Sequence, residues 1–225
     1  LPLKEKIPKT DKSPASSVYI FAAAPQSDQF KKVVMILRHS LVSVLGYGLL
    51  PVESASLVKL ISAKLTPRSK KPSKWSVLIG QHQNGGLRQI VIKDGELALT
   101  RMTPVINDDS DPSVWGEEVY QEFQSTLSYM ARFGFTEDDG LDIIIVANHE
   151  AGKIFQGMVE VKAVTYSLTV REIAKKLNLS IIDHGENRYA DVLHAAWVAK
   201  KPVLSLPLKS SEIQAIGKPR LLSMV

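Results

Sequence analysis

An α/β fold, with helices packed on a sheet, is predicted for this chain by three observations. Three β-rich apolar runs follow one another at residues 75–79, 87–92 and 97–103, and Asp94-Gly95 between the last two is a strong hairpin signal. Residues 113–133 then carry apolar side chains at helical spacing. A continuous apolar run at 141–147 follows, which gives the order strand, strand, strand, helix, strand.

The chain has 225 residues, 44% of them hydrophobic, enough to bury one sizeable core or two small lobes. With 23% charged residues its composition is that of an ordinary globular protein and not of a disordered one. The longest apolar runs, such as 33–37 and 143–147, fall far short of the roughly 18 residues of a membrane span. The first residue is Leu1 and no secretory leader pattern opens the chain, so it reads as a piece of a longer protein. Cysteine is absent, which excludes disulfides, thiolate metal sites and cysteine nucleophiles. Charge is uneven: residues 1–75 hold 13 Lys and Arg against four acids, and residues 76–225 hold 15 against 19. A basic front fits a solvated tail and an exposed loop, or contact with anionic lipid. No aromatic residues interleave with these lysines, so a stacking platform for nucleic acid is not expected.

Taken from the start, residues 1–17 have three prolines, four lysines and no periodicity, and read as a flexible lead-in. Residues 18–24 read as a buried strand ended by Pro25, and Ser27 or Asp28 can cap a helix over 29–45. A short strand at 50–52 and a helix at 54–65 follow, with Leu57, Leu60, Ile61 and Leu65 on one side. Residues 66–74 are Pro, Ser and basic, and read as a linker between a partial first lobe (18–65) and a second lobe (75–225). Within the second, Gly134 is placed to end the 113–133 helix. Later expectations are a strand at 158–164, a helix at 169–177 with Thr169 and Glu172 in a capping box, a strand at 179–182, a helix at 189–199 and a helical turn at 210–216.

Four constellations could carry chemistry. The run Gln81-His82-Gln83-Asn84-Gly85-Gly86 reads as a Gly-rich hairpin turn or a relic phosphate loop, and lacks the Gly-Lys-Ser/Thr ending of a P-loop. His149 and Glu150 are adjacent, which suits a helix cap better than a metal-binding pair. Residues 183–187 with Asp191 and His194 form the densest polar cluster; Asp191 and His194 are three apart and share a helix face, as an acid–base or metal pair would, or as a polar face would. Asp108, Asp109 and Asp111 with Glu117 and Glu118 do not match a calcium loop and suit a helix N-terminus. No Gly-x-Ser-x-Gly elbow supports a serine triad.

Three phrases resemble the PilM and GspL group of actin-like proteins, cytoplasmic platform components of type IV pilus and type II secretion machines. They are residues 18–60, with Ala-Ala-Pro before a helix and Gly-x-x-Pro after it; residues 75–105, similar to the β-meander opening the second actin-like lobe; and residues 114–135 with 141–154. The segment Tyr-Ala-Asp-x-Leu-His-Ala-Ala at 189–196 resembles that family's late helix. The resemblance implies actin-like (ribonuclease H-like) mixed-sheet lobes, truncated or reduced, since nothing before Val18 supplies the usual opening hairpin. Actin-like ATPases place Asp-x-Gly after the first strand of each lobe, whose carboxylate organises Mg²⁺. Here Gln81 and Gln83 stand in those positions, and no Asp lies between Trp75 and Lys93. Asn148-His149 stands where the family has Gly-Gly. Gln81, Gln83, Asn84, Gly85, Gly86, Asn148 and His149 therefore outline a relic nucleotide cleft, with no catalytic residue, cofactor or metal expected. The function implied is a non-catalytic scaffold on the cytoplasmic face of the bacterial inner membrane. Its partners would be other platform proteins and an assembly ATPase, with an anionic lipid surface and a second copy of the chain as further candidates and no nucleic acid. The alternative is a divergent actin-like ATPase binding nucleotide between its lobes.

Overall fold

The computed structural model describes residues 2–7, 16–19, 27–39, 44, 46–67, 69, 71–83, 86–104, 111–181, 189–201, 203–207 and 211–217. The elements in chain order are β1 (Pro2–Ile7), β2 (Ser16–Tyr19), α1 (Asp28–Arg38), α2 (Leu50–Leu65), β3 (Trp75–His82), β4 (Gly86–Lys93), β5 (Glu96–Thr103), α3 (Pro112–Arg132), β6 (Leu141–Val146), α4 (His149–Met158), β7 (Val164–Leu168), α5 (Val170–Leu177), α6 (Asp191–Lys200) and α7 (Ser211–Gly217). By packing, the chain divides into one unit of Ser54–Lys200 and another of Leu1–Glu53 with Lys201–Val225. The division falls at Glu53 and Lys201, outside the 66–74 segment read as a linker.

The larger unit is a five-stranded sheet in the order β5-β4-β3-β6-β7. β4 is antiparallel to both neighbours, while β6 runs parallel to β3 and β7 parallel to β6. Asp94 and Gly95 both have positive φ (52° and 81°), the geometry of a two-residue hairpin turn. The sheet is apolar on both faces, which is why β3 and β6 read as unbroken apolar runs. On one face Val77, Ile79, Val91, Ile143 and Ile145 meet Trp115, Val119, Phe123 and Met130 of α3 and Phe155 of α4. On the other, Leu78, Ile90, Ile144 and Val146 meet Leu57, Val58 and Ile61 of α2, Ile173 and Leu177 of α5, and Leu193 of α6. Helix–sheet–helix layering is the result.

The α/β prediction holds, as do the hairpin, the strand–strand–strand–helix–strand order and the Thr169–Glu172 capping box, whose bond from Thr169 N to Glu172 Oε2 is 2.8 Å. Four expectations do not. Residues 50–52 are the first turn of α2: Pro51 sits where a helix needs no backbone donor, and Val52 and Glu53 both donate to Leu49 O. Residues 158–164 are not a strand. Met158 ends α4, and Val159, Val161 and Ala163 mimic strand alternation while packing as a loop on the α3–α4 core. The strand is Val164–Leu168, where Val, Thr and Tyr favour pairing with β6. Leu179–Ile181 carry no strand, and Ile182 lies outside the described residues. Finally, the lead-in contains β1, paired antiparallel with β2 through Pro2–Tyr19 and Lys6–Ser17. The helix expected over 29–45 is α1, described from Asp28 to Arg38, with Ser27 as its cap (Phe30 N to Ser27 Oγ, 3.1 Å). Residues 20–24 of the expected strand lie outside the described residues.

Candidate functional site

The carboxyl ends of β3 and β6 lie side by side, Gly80 opposite Val146. In open α/β sheets this is the end at which ligands bind. In this chain the first turn of α6 is seated there. Ala190 N donates to Gln81 O at 2.8 Å, and Gln83 N donates to Asp191 Oδ2 at 2.7 Å. Gly80 permits the approach, since a Cβ on it would come 2.7 Å from Ala190 Cβ.

β3 alternates its side chains between the two faces. Gly80 and His82 therefore share a face, and the strand end turns a buried imidazole toward α6. His82 is 4% exposed, and its Nδ1 lies 2.9 Å from Asp191 Oδ1. A carboxylate can only accept, so the neutral ring carries its proton on Nδ1. That leaves Nε2 as an acceptor, buried and without a partner among the described residues. The ring stacks on that of His194, centroids 5.2 Å apart and planes 29° apart. His194 is 1% exposed, and its Nδ1 lies 2.7 Å from Oγ of the fully buried Ser54 in α2. Four side chains thus run Ser54–His194–His82–Asp191 and tie α2, α6 and β3 together. Burial pushes His194 down to about 3, with the neighbouring charges of His82 and Arg88 acting the same way. His82 is lowered too, chiefly by burial; Asp191 opposes the shift and Arg88 adds to it.

Chemically these pairs have the parts of a nucleophile–base and a base–orienter arrangement. Ser54 and His194 are both buried, 0% and 1% exposed, and bond each other between α2 and α6. Asp191 and His194 do share a helix face, as their spacing predicts, and they spend it on His82 and Ser54. Among the described residues, no group of three or more His, Asp or Glu side chains converges to hold a metal ion. Residues 183–187 of the same polar cluster lie outside the described residues.

Gln81 faces the opposite side of the sheet, where its Oε1 accepts a 2.6 Å bond from Nε1 of buried Trp115. Gln83 contributes its backbone N–H to Asp191. Asn84 and Gly85 lie outside the described residues. Gly86 opens β4 at φ 75°, and a Cβ there would sit within 2.9 Å of Pro104 Cα. Asn148 caps α4, its Oδ1 accepting from Ala151 N at 2.8 Å. His149 is exposed, 3.8 Å from Glu172 Oε1. The strand register therefore brings the ends carrying Gln81, Gln83, Asn148 and His149 to one edge of the sheet. Asp111, from the acidic run, caps α3 through Ser113 N and Val114 N, both 3.2 Å.

The sequence reading passed over His82 and Ser54 as members of this network. One signal was available: His82 is polar on a strand face otherwise built for burial, and a buried imidazole needs a partner.

A second polar centre lies at the opposite, amino end of β3 and β6. Asp142, 2% exposed, accepts from Ser62 Oγ at 2.5 Å and Ser73 Oγ at 2.8 Å, and Ser76 Oγ donates to Ser62 Oγ at 3.1 Å. These hydroxyls tie the 71–74 segment and α2 to the sheet. Comparison with known protein families and with curated proteins returns no match for this chain.

Proposed function

We propose that the chain is an actin-like, non-catalytic scaffold domain of a bacterial pilus or secretion platform at the cytoplasmic face of the inner membrane. It would work through its surfaces, binding other platform proteins and an assembly ATPase. The sheet order supports the actin-like part of this reading. Numbered within the sheet it is 3-2-1-4-5, with only the second strand antiparallel, so three meander strands are joined by α3 to two parallel ones.

One observation carries the non-catalytic part: the chain's own helix occupies the carboxyl end of β3. Gln83 N, a backbone donor that a phosphate loop would turn to a nucleotide, is bonded to Asp191, and Gln81 O beside it accepts from Ala190 N. Among the described residues no helix is long and apolar enough to cross a membrane. Isothermal titration with ATP and Mg²⁺ tests the reading. The expected result is no heat of binding up to millimolar nucleotide. Micromolar binding that is lost on Gln81→Ala would replace the scaffold with the divergent-ATPase alternative.

A further inference from the structure

Charge in this chain is sorted by unit. Residues 1–53 and 201–225 together carry 11 Lys and Arg against five acids, while residues 54–200 carry 17 against 18. The smaller unit is therefore the source of the net charge of +5. α1 belongs to that unit, and its inner side is anchored: Val34 is buried, and Phe30 meets Tyr47 edge-on with ring centroids 4.9 Å apart. Its outer side faces solvent. There Val33, Met35 and Ile36 are 51%, 62% and 69% exposed. Val33 and Ile36 are three apart, as are Lys32 and Met35, and Lys32 and Ile36 are four apart, so these side chains adjoin on the helix surface. Lys31 and Arg38 are exposed beside them. The acid of the first turn, Asp28, is tied to Lys31 at 3.3 Å.

We propose that the outer side of α1 docks on an anionic lipid bilayer, with the helix lying in the plane of the surface. A helix settles at such an interface when its apolar side chains enter the acyl boundary while its cations stay among the head groups. Val33, Met35 and Ile36 would be the inserted side chains. Lys31, Lys32 and Arg38 would meet lipid phosphates, since their long stems let the charge reach water beside a buried neighbour. Each cation held near an anionic surface adds to the attraction. Charge decides against a second copy of the chain as the occupant. α1 carries three cations against one acid, so two such faces would bring like charges together. The inference stands on α1 and its unit, apart from the actin-like reading and from the nucleotide titration that tests it.

Flotation of the whole chain with vesicles tests it. The probes are vesicles of phosphatidylcholine alone and of phosphatidylcholine with an equal part of phosphatidylglycerol. Binding to the mixed vesicles is expected, with little to the neutral ones, and it should weaken as salt screens the head groups. Lys31→Gln together with Lys32→Gln should lower the partition coefficient at least about tenfold. Met35→Ser together with Ile36→Ser should lower it by about tenfold through lost apolar contact. The chain has no cysteine, so Ile36→Cys gives a single attachment point for a polarity-sensitive dye. That dye should shift to the blue on the mixed vesicles, and the same dye at Tyr129→Cys on α3 should not. The proposal is overturned by a chain that does not bind the mixed vesicles, or that binds the neutral ones equally well. It is equally overturned by binding that the α1 substitutions leave unchanged, or by a dye at position 36 that shifts no further than the dye at position 129. A chain that sediments as a dimer, and becomes a monomer with Met35→Ser and Ile36→Ser, would give the face to a second copy instead.

Discussion

Replacing Asp191 by Asn tests whether the polar network at the end of β3 is built as described. The carboxylate accepts from His82 Nδ1 at 2.9 Å and from Gln83 N at 2.7 Å. An amide keeps one acceptor. If its oxygen stays on Gln83 N, its NH₂ faces His82 Nδ1, which must then become the acceptor. The imidazole proton moves to Nε2, where the described residues offer no partner. A buried donor left unsatisfied costs about 1–3 kcal/mol. The Asp191 side chain is 42% exposed, so water recovers part of the lost charge–dipole energy and the expected loss stays near 1–2 kcal/mol. Urea denaturation measures the loss, and ¹⁵N imidazole spectra report the tautomer: Nδ1–H on His82 in the unmodified chain, Nε2–H in the variant. An unchanged urea midpoint, or an Nε2–H tautomer before any substitution, would refute the reasoning.

Acid should weaken the fold well above the carboxylate range. His194 and His82 titrate below their unfolded value of about 6.5, so the unfolded chain binds more protons and stability falls as pH drops from about 6.5 toward 3. His194 alone contributes about 1.4 kcal/mol per pH unit in that window. His194→Asn, which can still reach Ser54, should flatten the pH dependence of the urea midpoint; an unaltered slope counts against the buried imidazole. Gly152→Ala pits helix preference against packing: alanine favours α4 by about 1 kcal/mol, but its Cβ would lie 2.7 Å from Ser167 Cβ on β7. Overpacking should win, with a net loss of about 1–2 kcal/mol in thermal denaturation. A variant as stable as its parent would show that α4 can shift away from the strand.

What was legible in the sequence was local. The Asp94-Gly95 turn, the Thr169–Glu172 box and the apolar stripe of α3 are written in adjacent residues, and each appears where expected. In α3 Trp115 and Gly116 are buried and Val114 is 41% exposed, and Trp115 Nε1 meets Gln81 on the same face of the sheet. What was not legible depended on distant partners. β1 and β2 pair two segments without a short turn signal. The buried state of Glu53 depends on residues about 150 positions away. His82 looked like part of a turn until Asp191 and His194, more than 100 residues on, closed around it. Spacing placed Asp191 and His194 on one face but could not say what that face would meet.

The same geometry bears on the acid that the proposed actin-like pattern would place at position 81. Read as a motif, Gln81 marks the loss of one carboxylate, as though restoring Asp would restore a site. The strand alternation says otherwise. Position 81 points to the α3 side, where Trp115 needs an acceptor, while the turn's backbone groups serve α6 on the other. An Asp there is one methylene shorter and would no longer reach Trp115 Nε1 at 2.6 Å without moving the helix. Gln83 N would still be held by Asp191, and Ala190 would still close over Gly80. Both contacts hold the start of α6 against the carboxyl end of β3. The hydrogen bonds at this end of the sheet are therefore distributed over β3, α3 and α6. Such mutual dependence supports a reading in which the fold has been retained for what its surfaces hold.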